Sequence, residues 1–205
     1  MRIELIDVRG FIPAIWGMRL SMQSEEDSSY LTNIGVAERV GPKDKALMLK
    51  LVKAGDFCSA FMRMIQVWVR LKASRMWWRQ WDKYKFQHFM YDVEEQSTNI
   101  MHIIADDELE FAEWTPKDVI DSTIDKQTVY RVRKKMIGDE KEEAFFRLEY
   151  SLPEGLLQER IVNLNYQTLR IIYQDRQNHR LPEWKELYEW IKTLPHSEII
   201  MEARK

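Results

Sequence analysis

A single cysteine, Cys58, occurs in 205 residues, so no intrachain disulfide framework can hold the fold together. No stretch approaches the ~20 consecutive apolar residues of a membrane helix, because charges interrupt every hydrophobic run. A cationic start leading into an apolar run is also lacking, so no secretion signal is read, and a cytoplasmic protein without a membrane partner is expected. The seven glycines form neither a G-x-G-x-x-G turn nor a Walker-type phosphate loop, which argues against a Rossmann dinucleotide site. Four histidines, His88, His102, His179 and His196, are too scattered for a metal-ligand spacing, and no metal is expected. A net charge of -2 and a pI near 6.1 supply no global positive field for nucleic acid, which is therefore not an expected partner. Internal repeats, low-complexity tracts and long linkers are absent as well, so one domain over residues 1–205 is expected.

What is present is a globular composition, 45% apolar and 31% charged. Arg2 to Val8 alternates imperfectly and predicts a strand, and the acidic run within 22–33 predicts a mobile surface loop. Pro42 opens a helix that Gly55 stops. Met62 to Lys72 places Ile65, Val67 and Val69 on one face and Met64, Gln66, Trp68 and Arg70 on the other, which predicts a strand. Ser74 is suited to cap the helix that follows. Glu94 to Asn99 reads as an ordered loop, Thr115-Pro116 as the start of a helix toward Lys126, and residues 127–150 as partly helical. After the break at Leu152-Pro153-Glu154-Gly155, Leu164, Leu169, Ile172 and Tyr173 form a helical stripe. A last helix follows Leu181-Pro182 through Trp184, Leu187, Tyr188 and Ile191. Such an order fits a mixed α+β domain.

The densest chemistry lies between Ser74 and Lys85, where Trp77, Trp78 and Trp81 alternate with Arg75, Arg79, Lys83 and Lys85 around Gln80. Three indoles side by side are expected to leave some aromatic surface exposed, and the cations can hold an anion above it. That combination suits a phosphorylated, ring-bearing ligand. Packing in a core or at a subunit seam is the plainer use of the same tryptophans, as a solvated face is for the lysines.

In context these residues resemble the flavin-dependent thymidylate synthases. Their pattern is a strand, Ser-Arg, four residues, then Gln-x-x-Arg-His-Arg, followed by Ser and Arg in a loop. Ser74-Arg75, Gln80 and Lys83-Tyr84-Lys85 follow that spacing without a gap, with Ser97 in the loop. Leu152-Pro153, Asn165-Tyr166-Gln167-Thr168-Leu169 and Arg176 stand where the family has Leu-Pro, Asn-x-Arg-Ser-Leu and a later Arg. The resemblance spans roughly residues 45–192. It implies an α+β fold with a mainly antiparallel sheet, and a homo-oligomer, a tetramer in the family. It also implies FAD as cofactor, and reductive methylation of deoxyuridine monophosphate (dUMP) with a reduced nicotinamide and methylenetetrahydrofolate.

Four functional positions depart from the family. Arg-His-Arg has become Lys83-Tyr84-Lys85, the loop arginine Asn99, the nucleotide-contacting arginine Gln167, and a Glu-His pair Met62-Arg63. Lysine keeps a charge but not the bidentate fork, and amides supply no charge. The nucleotide and cofactor site expected from the resemblance comprises Arg63, Arg75, Arg79, Gln80, Lys83, Tyr84, Lys85, Ser97, Asn99, Gln167 and Arg176. No catalytic residue is assigned. A non-catalytic nucleotide-binding protein, of the kind a phage or mobile element encodes, and a purely structural protein with the tryptophans as a seam are the competing readings.

Overall fold

Alternation builds the central strand. In a computed structural model describing residues 1–28, 40–86, 93–97, 150 and 154–203, β2 runs over Gln66–Ser74. Its Val67, Val69, Leu71 and Ala73 are buried on one face, while Gln66, Trp68, Arg70 and Lys72 lie on the other. Strand β1, Arg2–Arg9, pairs antiparallel with one edge of β2 and carries a bulge between Leu5 and Asp7. On the other edge β2 pairs with β4, Leu157–Asn165, from Gln66 opposite Asn165 to Ser74 opposite Leu157. Strand β3, Val93–Ser97, completes the sheet in the order β1-β2-β4-β3, every described pairing antiparallel.

Helix α1, Phe11–Ser21, buries Phe11, Ala14, Ile15 and Met18 at helical spacing. It starts after Gly10, whose φ of +103° suits glycine and where a Cβ would lie 2.1 Å from the Met64 carbonyl oxygen. Helix α2, Pro42–Ala54, is fastened to α1 by the Arg19 guanidinium, which donates to the Asp44 carboxylate at 2.8 Å inside the protein. The 3-10 turn Ala60–Met64 leads into β2. Helices α3, Arg75–Trp81, and α4, Lys83–Phe86, follow directly on β2. After β4 come α5, Tyr166–Arg176, α6, Pro182–Ile191, and α7, Glu198–Met201. Fully buried Arg170 on α5 ties these parts together, donating to Asp56 at 3.0 Å and to the carbonyls of Val52, Glu202 and Ala203.

The strand expected from Met62 begins at Gln66, because Ala60–Met64 curls into a 3-10 turn. Glu94 to Ser97 is not a loop: with Val93 it pairs along β4, which gives its backbone partners that sequence alone could not supply. Leu164 belongs to β4 rather than to the helical stripe, which starts at Tyr166 after Asn165 accepts the Thr168 N–H at 2.9 Å. The acidic stretch within 22–33 contains a short 3-10 turn at Glu25–Asp27. The helix expected from Thr115, the partly helical 127–149 and Asn99 lie outside the described residues.

Candidate anion site

Ser74 ends β2 and starts α3, its hydroxyl accepting the Trp77 N–H at 3.2 Å. The buried Glu183 carboxylate in turn accepts the Ser74 N–H at 2.8 Å and its hydroxyl at 3.1 Å. Since Glu183 lies in the first turn of α6, this contact sets Trp184 against α3. Trp184 packs on Trp77 with ring centroids 4.8 Å apart and stacks on Trp81 at 6.4 Å. Trp77, Trp78, Trp81 and Trp184 are each at most 1% exposed. The tryptophans expected to form an open floor for a ligand are therefore core: α6 contributes a fourth indole against Trp77 and Trp81, and Arg160 lies over Trp78. A seam between subunits is likewise not their role.

The core indoles still position polar groups. The Trp184 indole N–H donates to Gln80 Oε1 at 2.9 Å. Arg176, at the end of α5, lays its guanidinium over the Trp184 ring at 4.6 Å and donates from Nε to the Tyr84 hydroxyl at 2.9 Å. Lys83 Nζ sits 4.7 Å from the Tyr84 ring centroid. Burial lowers the Lys83 pKa, Arg176 lowers it further, and Asp175 opposes the shift. His179 is lowered by burial first, then by Arg176 and Lys83. Among the described residues, neither Lys83 nor Arg176 has a carboxylate within ion-pair distance. The described residues thus gather positive charge in one place with no direct counter-ion among them.

Lys85 differs. It contacts Glu95 and lies 3.2 Å from Asp82, while Arg160 lies 2.9 Å from Asp82 and also contacts Glu95. Two cations and two carboxylates make a balanced set, with Arg160 over the Trp78 ring at 4.1 Å. Ser97 is paired opposite Arg160 on the exposed end of β3. Arg79 is exposed and meets Glu154 at 2.6 Å. Arg75 is half-buried, its backbone N–H donating to the Leu156 carbonyl.

Other expected residues fall elsewhere. Gln167 is 1% exposed and locked inside, accepting from Ser59 at 3.2 Å and donating to Asp56 at 3.4 Å. It is a structural amide, because its oxygen and its nitrogen are both engaged in the buried polar network that Asp56 shares with Arg170. Arg63 is exposed and lines a cavity of about 550 Å³ with Cys58, Phe61 and Met64. The structure therefore brings together Gln80, Lys83, Tyr84 and Arg176, and places Lys85 with Ser97 beside Arg160. Sequence reading missed Arg160 and His179. Arg160 enters only through strand pairing, whereas His179, three residues after Arg176, was legible as a neighbour of a singled-out cation.

No protein-family model matches this sequence, and no curated protein does. By its architecture the chain has the fold of the flavin-dependent thymidylate synthases, as the spacing of Ser74, Gln80 and Lys83 implied. The flavin-dependent thymidylate synthase ThyX from Helicobacter pylori, solved with FAD and dUMP, superposes with a TM-score of 0.73 at 15% identity over 100% of both chains. A second structure of ThyX from Helicobacter pylori with FAD and dUMP gives 0.69 at 14% identity, over 98% of this chain and 100% of that one. Among the described residues no helix is long and apolar enough to cross a membrane, and no group of three or more His, Cys, Asp or Glu is placed to hold a metal ion.

Proposed function

We propose that this protein is a diverged relative of the flavin-dependent thymidylate synthases that binds a phosphorylated nucleotide of the dUMP kind at Lys83 and Arg176. One observation carries the reading: a guanidinium and an ammonium share the Tyr84–Trp184 platform, and no carboxylate of the described residues lies within ion-pair distance of either. Arg176 is already oriented by its aromatic face and the Tyr84 hydroxyl, so little side-chain entropy is lost when an anion arrives. Both cations occupy positions that the resemblance assigns to nucleotide and cofactor contact. Gln80, whose oxygen accepts from Trp184, donates its amide hydrogens to no described residue and can offer them to the rest of the ligand.

FAD fits these residues poorly. A dinucleotide carries two phosphates, yet of the three positions matching Arg-His-Arg only Lys83 is exposed. Tyr84 is buried and Lys85 is committed to Glu95 and Asp82. The arrangement supports holding a nucleotide in preference to flavin-dependent reductive methylation. Purified protein is accordingly expected to be colourless in the blue and to gain no flavin absorbance on incubation with FAD. A yellow preparation would return the enzymatic reading to first place.

The binding test is calorimetric titration with dUMP, with deoxyuridine as the control. Arg176→Ala is expected to weaken dUMP by about 10- to 150-fold, the loss of one charge-assisted contact of ~1.5–3 kcal/mol. Lys83→Ala is expected to act in the same direction, and both effects should shrink as salt rises. Wild-type protein that responds to dUMP no better than to deoxyuridine would refute the proposal.

Self-association belongs to the same proposal. Trp16 is 55% exposed, Leu20 63% and Phe57 101%, large apolar side chains left on the surface near α1. A homo-oligomer, a tetramer by the resemblance, is expected in light scattering. Trp16→Glu together with Leu20→Glu should lower the mass; a wild-type mass of about 25 kDa, one chain of 24.8 kDa, would contradict it.

A further inference from the structure

Two side chains flank the Trp184 indole. Arg176 covers its face at 4.6 Å, and the His179 ring meets it edge-on with centroids 6.0 Å apart. His179 is fixed from its other nitrogen, because Nδ1 accepts the Leu181 backbone N–H at 3.1 Å. A ring nitrogen that accepts carries no proton, so the proton of the neutral imidazole lies on Nε2. Adding a second proton would break the Leu181 contact at the start of α6. It would also place a third positive charge beside Arg176 from α5 and Lys83 from α4, which Asp175 offsets only at Lys83. Burial acts in the same direction on His179. The imidazole is thereby kept neutral with a single N–H donor, and no described residue accepts from Nε2.

We propose that His179 is the third donor of the anion site, a neutral Nε2–H that acts with Lys83 and Arg176 to select a terminal phosphate monoester over a phosphodiester. The inference rests on the nucleotide-binding reading above and extends it. A monoester near neutral pH carries close to two charges and three terminal acceptor oxygens, enough for three donors. A diester offers two non-bridging oxygens and one charge. The selected chemistry is shared by a nucleoside monophosphate and by inorganic phosphate, and base contacts separate the two.

The experiment titrates the full chain with dUMP, inorganic phosphate and 3′,5′-cyclic uridine monophosphate. Wild-type protein is expected to bind dUMP most tightly, phosphate more weakly, and the cyclic diester at least about tenfold more weakly than dUMP, the scale of one hydrogen bond to a charged group. His179→Asn keeps an oxygen where Nδ1 accepts from Leu181 but has no donor at the Nε2 position. It should weaken dUMP about tenfold while leaving the diester unchanged. His179→Gln, whose amide nitrogen reaches toward Nε2, should recover most of the loss. Nitrogen-15 spectra of the complex should show Nδ1 unprotonated between about pH 6 and 8, the range in which an ordinary histidine titrates.

If His179→Asn binds dUMP as wild type does while Arg176→Ala binds it poorly, the histidine is not a donor, although the anion site stands. An imidazole carrying both protons in the complex would overturn the neutral-donor assignment. Wild-type protein that binds neither dUMP nor phosphate overturns this inference together with the reading beneath it.

Discussion

Trp184→Ala is expected to destabilise the protein by about 3–5 kcal/mol, the cost of emptying a large aromatic site in a packed core. The indole is 1% exposed and contacts Trp77 and Trp81 across α3, so its removal leaves a void that two neighbouring rigid rings cannot readily fill. It also deprives Gln80 of its donor and Arg176 of the face on which it lies. Denaturant unfolding should show a lowered midpoint with an unchanged slope, and dUMP affinity should fall further than in Gln80→Ala. Trp184→Phe separates the two effects, retaining much of the area while losing the N–H. A Trp184→Ala cost below about 1 kcal/mol would mean that the cluster relaxes freely and does not set the site.

The second large effect is expected at Asp44. Its carboxylate is fully buried, accepts from Arg19 at 2.8 Å and from the Ser28 hydroxyl at 3.1 Å, and joins α1 to α2. Asp44→Ala leaves the Arg19 guanidinium, itself 6% exposed, without its partner in the interior, a change that costs about 3–5 kcal/mol. The pair itself need not stabilise the fold by that amount. Arg19→Met combined with Asp44→Leu removes both charges and should recover most of the loss. Four unfolding curves, for wild type, Arg19→Met, Asp44→Leu and the double, give the coupling directly. A double variant no more stable than Asp44→Ala would show that Arg19 is not the cause.

Part of this architecture was legible because local chemistry and fold agree. Pro42 with Gly55, Ser74 as a cap, and Pro182 ahead of Trp184 mark helix ends through their own backbone preferences, and each helix lies where those residues put it. Helix α1 escaped notice because Trp16 and Leu20 are apolar on its exposed side, which erases the contrast on which a periodic pattern depends. Strand β3 escaped because Glu94, Glu95 and Gln96 have little strand preference, and β4 supplies the pairing that overrides it. At the site, the spacing from Ser74 to Lys85 located Gln80, Lys83 and Tyr84. It could not show that Lys85 is neutralised by residues from other elements, nor that a fourth tryptophan packs against Trp77 and Trp81. Charge compensation and burial are properties of pairs distant in sequence, and neither is visible in a single segment.

The indole hydrogen of Trp184 can only be given, never taken, so the partner atom on Gln80 has to be its oxygen. That one contact orients the whole carboxamide and turns its NH₂ end away from the tryptophan. A molecule reaching the NH₂ end of Gln80 therefore encounters hydrogens, and that end can recognise a carbonyl or a pyridine-type nitrogen. Polarity at this position was fixed by the aromatic core before any visitor arrives.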